Sequence, residues 1–199
     1  MVKNSTLKKF LSSFWQSYTI KMVRKRLKEG LVQVYFGRGK GKTTAALGQA
    51  LRATGHGFKV LMIQFMKGNI KYGEITSQKL IPGFEIRQFG RKDLIAEPEE
   101  IDMVEGKKAM EEAEREIKSD NWDIIILDEV GVAIAMGIVN VEDVLRLIDE
   151  KPPHLEIILT GGPKMHPKLK MRADLVTEMK MVKHYYASQG LDARFGIEF

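Results

Sequence analysis

A glycine-rich segment between a predicted strand and a predicted helix most constrains the fold of this chain. Residues 36–44 read FGRGKGKTT, with an apolar, β-like run over 31–36 before them and a helical pattern over 43–54 after them. This order of strand, glycine-rich turn, Gly-Lys-Thr and helix is typical of a phosphate-binding loop. Glycines let backbone amides curl around an anion, and the helix start adds the positive end of its dipole. The segment therefore predicts a nucleoside triphosphate site.

The loop has one departure from the common pattern. That pattern places four residues between its first glycine and the Gly-Lys pair, whereas three separate Gly37 from Gly41 here. The shorter loop indicates a special subfamily, and the plain alternative is a basic turn without a ligand. We expect the Lys42 ammonium on the outer phosphates and the Thr43 hydroxyl on Mg²⁺. The predicted nucleotide-binding residues are Gly37, Arg38, Gly39, Lys40, Gly41, Lys42, Thr43 and Thr44.

A second motif, DIIILDE over 123–129, is an apolar strand that ends in two acids. In a phosphate-loop protein such a strand carries the acid that holds Mg²⁺, directly or through water. Asp128 is expected to orient Thr43 or a metal-bound water. Glu129 is a candidate metal ligand, ribose contact or, in an ATPase, the base that activates water. A buried strand followed by surface acids is the plain alternative.

Strand and helix patterns alternate from residue 31 onward. Several predicted strands are continuous apolar runs, as expected of parallel strands that are covered on both faces. The predicted fold is α/β, with a doubly wound, mostly parallel sheet of about six strands and ligands at the carboxyl ends of the strands. The strands are predicted at 31–36, 58–65, 84–89, 123–127, 155–159 and 174–178. The helices are predicted at 43–54, 72–79, 98–118, 141–150 and 166–172.

The first 30 residues differ from the rest in charge. Their net charge is +7, against +6 for the whole chain, so the basic character belongs to this segment. It therefore does not make the domain over 31–199 a nucleic-acid binder. Apolar residues at helical spacing predict a basic amphipathic helix over 1–30, ended by Gly30. This helix packs on its own domain, acts as a lid or subunit bridge, or is a transit peptide or membrane-surface helix.

The residue inventory excludes several kinds of chemistry. The chain has no cysteine and therefore no disulfide, thiolate metal site or cysteine nucleophile. No apolar run reaches the length of a membrane span, and no secretory signal is visible. The four histidines show no metal-ligand spacing. We therefore expect a cytoplasmic protein with neither nucleic acid nor a membrane as partner.

Several motifs together resemble one family, the ATP:corrinoid adenosyltransferases. The stretch FGRGKGKTTAALG over 36–48 looks like that family's shortened phosphate loop, and QFMKG over 64–68 is similar to the end of its second strand. The resemblance covers about residues 31–199. It departs from the family at Gly162-Pro163, where arginine is common, and at 88–95, which contain no tryptophan. Further similar segments are IILDE at 125–129, Thr160-Gly161, ADLVTEM at 173–179, VKH at 182–184 and GIEF at 196–199.

The resemblance implies a RecA-like phosphate-loop fold and a reaction that is unusual for it. A reduced corrinoid attacks the 5′ carbon of ATP through its cobalt, receives the 5′-deoxyadenosyl group and releases triphosphate. ATP and the corrinoid are then the substrates, with Mg²⁺ or Mn²⁺ as the metal. By analogy we expect an electron donor such as a flavoprotein reductase, a homodimer, and an N-terminal helix that covers the corrinoid.

The predicted roles of single residues follow from this reading. Phe65 and Phe89 are the candidates for the corrinoid, and the plain alternative is that both belong to the core. The predicted roles are catalytic for Lys42 and Glu129, metal-binding for Thr43, Asp128 and Glu129, and corrinoid-lining for Phe65 and Phe89.

Two other functions stay open from the residues alone. One is a phosphate-loop ATPase or small-molecule kinase, in which Glu129 acts as a base and Lys42 draws on the γ-phosphate. The other is a nucleotide-gated regulator whose basic N-terminal segment docks on nucleic acid or a membrane. The phosphorus products formed from ATP in the presence of a reduced corrinoid distinguish all three.

Overall fold

Six strands and seven α-helices alternate in the computed structural model, which describes residues 26–68, 72–92 and 95–199. The strands are β1 (Val32–Phe36), β2 (Val60–Gln64), β3 (Phe84–Gln88), β4 (Ile124–Asp128), β5 (Glu156–Gly161) and β6 (Leu175–Glu178). The helices are α1 (Lys42–Thr54), α2 (Gly73–Ser77), α3 (Glu100–Lys118), α4 (Val130–Ala135), α5 (Val141–Glu150), α6 (Pro167–Arg172) and α7 (Tyr185–Gln189), with a 3₁₀ turn at Gln78–Leu80.

All six strands run parallel in one sheet, in the order β3-β2-β4-β5-β1-β6. This confirms the predicted α/β architecture. Strand β5 separates β1, which leads into the glycine loop, from β4, which carries the two acids. Because parallel strands present their carboxyl ends at the same edge, the loop and the acids meet at one edge of the sheet.

The core lies on both faces of the sheet. Strands β2, β4 and β5 are buried along their whole length, and alternate side chains of a strand go to opposite faces. In β2, Leu61 and Ile63 pack in the cluster that contains α3 and α5. Val60 and Met62 pack in the cluster that contains α1. This two-sided burial explains why these strands are continuous apolar runs.

The predicted elements agree closely with the structure. Each strand begins and ends within two residues of its predicted bounds, and the helix at 141–150 is found as predicted. The helix predicted from 98 begins at Glu100, where Glu99 and Asp102 form a capping box. The pattern missed α4 and α7, whereas α2 and α6, which are equally short, were predicted. No helix in the described part of the chain has the length and apolarity that a bilayer span requires.

The predicted N-terminal helix falls mostly on residues 1–25, which lie outside the described residues. Residues 26–30 are described and are not helical, so the prediction that a helix ends at Gly30 is wrong. A Cβ at Gly30 would lie 2.2 Å from the carbonyl carbon of Leu155. Close packing at the amino edge of the sheet therefore explains this glycine.

Candidate nucleotide-binding site

The glycine loop turns sharply at its two outer glycines. Gly37 and Gly41 have φ angles of 122° and 115°, which residues with a Cβ rarely adopt. The loop also rests on the chain that follows β6. A Cβ at Gly37 would lie 2.5 Å from the Met179 carbonyl oxygen, and the Gly39 amide donates to that oxygen over 2.7 Å. The Gly39 amide therefore stabilises the loop, and only the other amides of the loop are available to bind an anion.

The two lysines of the loop already contact oxygen atoms of the protein. Lys42 donates from its ammonium to the Gly39 carbonyl oxygen over 2.9 Å. Lys40 donates to the Ile197 carbonyl oxygen over 2.8 Å and lies 3.4 Å from a carboxylate oxygen of Glu198. Hydrogen bonds between ions are stronger than those to neutral carbonyls. A bound polyphosphate therefore competes well for both ammonium groups.

Asp128 lies at the centre of a buried hydrogen-bond network and is fully shielded from solvent. Its Oδ1 accepts from the hydroxyls of Thr43 (2.9 Å) and Thr160 (2.8 Å). Its Oδ2 accepts from the Lys67 ammonium (2.8 Å) and the Gln64 amide (3.3 Å). These four donors occupy the lone-pair sites that two carboxylate oxygens offer. Asp128 therefore orients Thr43, and in this arrangement it has no position left for a direct metal bond.

Glu129 lines the adjoining cleft, together with Glu74 and Glu198. Its backbone is left-handed, with φ 64° and ψ 11°, and its amide donates to the Thr160 hydroxyl over 2.8 Å. Burial, and next the negative charge of Asp128, raise the pKa of the Glu129 carboxyl, although Lys67 and Lys42 oppose this shift. Strained backbone at a non-glycine residue clusters at functional sites, which agrees with this position at the mouth of the cleft.

Lys67 reaches this network from the turn after β2. Burial disfavours its charged form, but the charge of Asp128 and its hydrogen bond outweigh burial, so the pKa of Lys67 is raised. Glu129 and Glu74 add to this effect. The ammonium also lies 5.4 Å from the ring centroid of Tyr72. Lys67 is therefore a fixed positive charge beside the acids.

A cleft of about 810 Å³ opens next to the network. Its volume lies in the range typical of sites for small molecules and cofactors. One wall comes from the glycine loop and α1, and the opposite wall comes from α2 and from residues 196–199. The polar side chains that line the cleft are those of Lys40, Thr43, Thr44, Lys67, Tyr72, Glu74, Ser77, Glu129 and Glu198. Apolar side chains elsewhere in it are Leu47, Leu51, Ile81 and Phe84.

Eight of the predicted site residues do not line this cleft. They are Gly37, Arg38, Gly39, Gly41, Lys42, Phe65, Phe89 and Asp128. Phe65 is only 1% exposed and packs in the core. It offers no surface to a corrinoid, so its predicted role is corrected to that of a core residue. Phe89 is half-buried against the same core. Arg38, in the glycine loop, is exposed and is not among the residues that line the cleft.

Sequence analysis gave no role to Lys67, Thr160 or Gln64, although their motifs were noticed. One signal was available, because Gln64 and Thr160 are polar residues at or near the ends of apolar strands. The carboxyl ends of parallel strands gather at one edge, so such residues are candidates for the same site. Periodicity alone could not show that all three contact Asp128.

The residues at the cleft are suited to bind a divalent cation only when substrate phosphates also coordinate it. Within the described residues, no group of three or more His, Asp or Glu is placed to hold a metal ion. The Thr43 hydroxyl donates a hydrogen bond to Asp128, which leaves the lone pairs of the hydroxyl oxygen available. Glu129 offers a carboxylate in the same cleft. Mg²⁺ is usually held by one or two protein groups and substrate phosphates, and this arrangement suits that mode.

Comparison with known proteins gives the family. The family described as ATP:corrinoid adenosyltransferase BtuR/CobO/CobP matches residues 28–199. The chain is 33% identical over 184 residues to a corrinoid adenosyltransferase of a Sinorhizobium species, covering 89% of this chain and 84% of that one. It is 33% identical over 178 residues to the corrinoid adenosyltransferase of Escherichia coli K12, covering 85% and 86%.

Among solved structures, the flagellar accessory protein FlaH of Methanocaldococcus jannaschii is similar with a TM-score of 0.52, over 76% of this chain and 72% of that one. At 19% identity, this likeness shows the fold alone. The family match agrees with the motifs at the glycine loop, the acidic strand end and residues 196–199 and confirms the resemblance seen in the sequence. The chain therefore belongs to the ATP:corrinoid adenosyltransferases, the enzymes that transfer an adenosyl group from ATP to a corrinoid.

Proposed function

We propose that this enzyme attaches the 5′-deoxyadenosyl group to the cobalt of a cob(I) corrinoid and releases inorganic triphosphate, in adenosylcobalamin synthesis or corrinoid salvage. The observation that carries the proposal is the cleft, where the glycine loop, Thr43, Glu129 and Lys67 converge. Cobalt(I) supplies both electrons of the new cobalt–carbon bond. The electrons of the broken bond between C5′ and oxygen leave with the triphosphate, so no side-chain nucleophile is needed.

The protein contributes position and electrostatics to this reaction. Cobalt and C5′ have to be held in line at a distance of about 3–3.5 Å. Negative charge develops on the leaving triphosphate, close to the ammonium groups of Lys40 and Lys42 and the free amides of the loop. Fixed charges in a poorly solvated site stabilise such charge with little reorganisation.

A divalent cation, Mg²⁺ or Mn²⁺, belongs to this proposal as a companion of the nucleotide. We infer that Thr43 and Glu129 hold it together with the phosphates, and that Asp128 acts by orienting the Thr43 hydroxyl over 2.9 Å. When bound, the ion neutralises part of the triphosphate charge. Glu129 is thereby a catalytic residue, because its carboxylate contacts the metal that is bound to ATP.

The corrinoid site, the electron donor and the dimer are further parts of the proposal. Phe89 and the segment 1–30 remain the candidates that cover the corrinoid. A reductant, such as a flavoprotein, has to supply cob(I) because the reaction consumes it. The support for a homodimer is β6, an edge strand in which all four residues are exposed, including Leu175 and Val176. Among the described residues no strand pairs with the outer edge of β6, and covering by another chain or element is one way in which proteins protect such an edge.

The decisive experiment identifies the phosphorus products. The protein is incubated with ATP, Mg²⁺ and a chemically reduced corrinoid, and the products are separated by ³¹P NMR and by the corrinoid spectrum. Triphosphate together with a cobalt–carbon corrinoid is the expected result. ADP and phosphate formed without a corrinoid indicate an ATPase or kinase, and the absence of both reactions indicates a regulator.

A truncation tests the lid assigned to the N-terminal segment. Removing residues 1–25 leaves all described residues in place, and we expect it to raise the KM for the corrinoid more than the Kd for ATP. The measurement pairs corrinoid kinetics with calorimetry of ATP binding. Full corrinoid affinity in the truncated protein would show that the segment is not a lid.

A further inference from the structure

The ammonium of Lys67 contacts the acid that ends strand β4 directly. In other enzymes with a phosphate loop, an acid at the end of an apolar strand holds Mg²⁺. Here Oδ2 of Asp128 accepts from Lys67 over 2.8 Å, and Oδ1 accepts from two hydroxyls. A cation that belongs to the protein therefore neutralises Asp128 before any ligand arrives.

The backbone around Lys67 is built to hold it in this place. Met66 is left-handed, with φ 59°, and the Lys67 amide donates to the Phe89 carbonyl oxygen over 2.9 Å. A Cβ at Gly68 would lie 1.6 Å from the Gly90 carbonyl oxygen. Two glycines thus let the turns after β2 and β3 touch. A surface lysine needs neither the strained residue nor this close contact.

Three carboxylates act on the Lys67 ammonium, those of Asp128, Glu129 and Glu74. Its side chain is 17% exposed, and that of Asp128 is fully buried. If the ammonium were removed, these acids would face one another in a poorly solvated space. Carboxylate oxygens in such an arrangement attract hard divalent cations, and an uncompensated buried charge is strongly unfavourable.

We propose that Lys67 is the resident counter-ion of Asp128 and keeps divalent cations off this acid in the free enzyme. The metal that enters with the nucleotide then uses the side of the cleft with Thr43 and Glu129. Lys67 is a positioning residue in this scheme, because it holds Asp128 and Asp128 holds the Thr43 hydroxyl. The inference rests on the proposed phosphate-loop site, but it does not depend on the adenosyl transfer.

The test measures Mn²⁺ binding without nucleotide or corrinoid, by the EPR signal of free Mn²⁺. Lys67→Met removes the charge and keeps the length of the side chain, and Lys67→Arg keeps the charge. Lys107→Met is the matched control, since Lys107 is an exposed lysine that also pairs with an acid. We expect Lys67→Met to bind Mn²⁺ at least about tenfold more tightly than the wild type. The other two variants should match the wild type.

A double variant locates the new site. Lys67→Met combined with Asp128→Asn should lose the added Mn²⁺ affinity, because the acid has gone together with its counter-ion. If Lys67→Met unfolds without metal, Mn²⁺ has to restore its circular dichroism spectrum. Equal Mn²⁺ binding by the wild type, no binding by Lys67→Met, or no refolding by Mn²⁺ would each overturn the proposal. A failed adenosyl transfer assay would leave the Mn²⁺ result unchanged, so the two proposals fail separately.

Discussion

Two lysine–carboxylate pairs lie at or next to the glycine loop, and they differ in how far their side chains are exposed to solvent. Lys67 and Asp128 lie 2.8 Å apart, with side chains 17% and 0% exposed. Lys40 and Glu198 lie 3.4 Å apart, with side chains 41% and 18% exposed. Water screens the second pair far more than the first. The buried pair therefore belongs to the framework of the site, whereas the exposed pair can exchange its partner for a ligand.

The comparison separates residues that build the site from residues that act in it. Asp128 is saturated by four donors, so its replacement should damage the folded state. Lys42 contacts one neutral carbonyl, so its replacement should damage mainly the reaction. Stability and activity measured on the same variants test whether the two groups of residues are distinct.

Asp128→Ala should have the largest effect. It leaves the buried Lys67 ammonium without its counter-ion, and we expect a loss of about 3–5 kcal/mol in the free energy of unfolding. Urea denaturation followed by circular dichroism measures this loss. Asp149→Ala is the control, because Asp149 pairs with Arg172 on the surface. A loss below about 1 kcal/mol for Asp128→Ala would mean that the Lys67–Asp128 pair contributes no more to stability than an exposed ion pair does.

Lys42→Ala should slow adenosyl transfer by about 10²–10³-fold, the cost of removing one donor from a site of developing charge. Its urea denaturation midpoint should stay close to that of the wild type. Steady-state kinetics with ATP give the rate, and Lys118→Ala on the surface of α3 is the control. A near-normal rate would remove the glycine loop from the mechanism.

Glu129→Gln should abolish most of the activity and yet stabilise the free protein by about 1 kcal/mol at neutral pH. The pKa of Glu129 is raised in the folded state, so folding favours the protonated form. Its contribution to stability is therefore greatest at low pH and is lost as the pH rises from 4.5 through the raised pKa. The free energy of unfolding, measured by urea denaturation between pH 4 and pH 8, should depend less on pH in the variant than in the wild type. A variant that is less stable than the wild type at neutral pH would contradict this expectation.

Glu198→Gln should have the smallest effect. It releases Lys40 for the phosphates, so ATP affinity should rise by no more than about threefold, as expected for a screened pair. The unfolding midpoint should change little, because the other contacts of Glu198, with the Tyr185 hydroxyl and with Arg194, lie within the same C-terminal segment. Calorimetry with ATP measures the affinity, and Glu142→Gln, from the exposed pair with Lys168, is the control. A fall in ATP affinity would mean that Glu198 positions Lys40 instead of competing for it.

Local rules were enough to predict much of this molecule. The outer glycines of the loop have positive φ angles, and the continuous apolar strands follow from burial on both faces. The helix predicted over 141–150 was found as predicted, and in the structure the Asn140 side chain caps its start. Helices of five or six residues carry little periodic signal, so α2 and α6 were predicted whereas α4 and α7 were missed.

Long-range contacts were beyond those rules. Lys67 and Thr160 lie 61 and 32 residues from Asp128 along the chain, and only the sheet order brings them to it. Phe65 was assigned to the corrinoid because it lies near a strand end and by analogy with the family, but its side chain packs in the core. Nothing in the residue pattern shows which way a side chain points after a strand ends.

The order of residues along the chain established the phosphate loop, the alternation of strands and helices and the family, because each depends on neighbours within a few positions. The division of labour between the two acids came from packing alone. Asp128 is enclosed by donors from other strands, while Glu129, one residue later, lines the cleft. A parallel sheet gathers distant strand ends at one edge, and burial there decides which charge is held in place and which can meet a ligand.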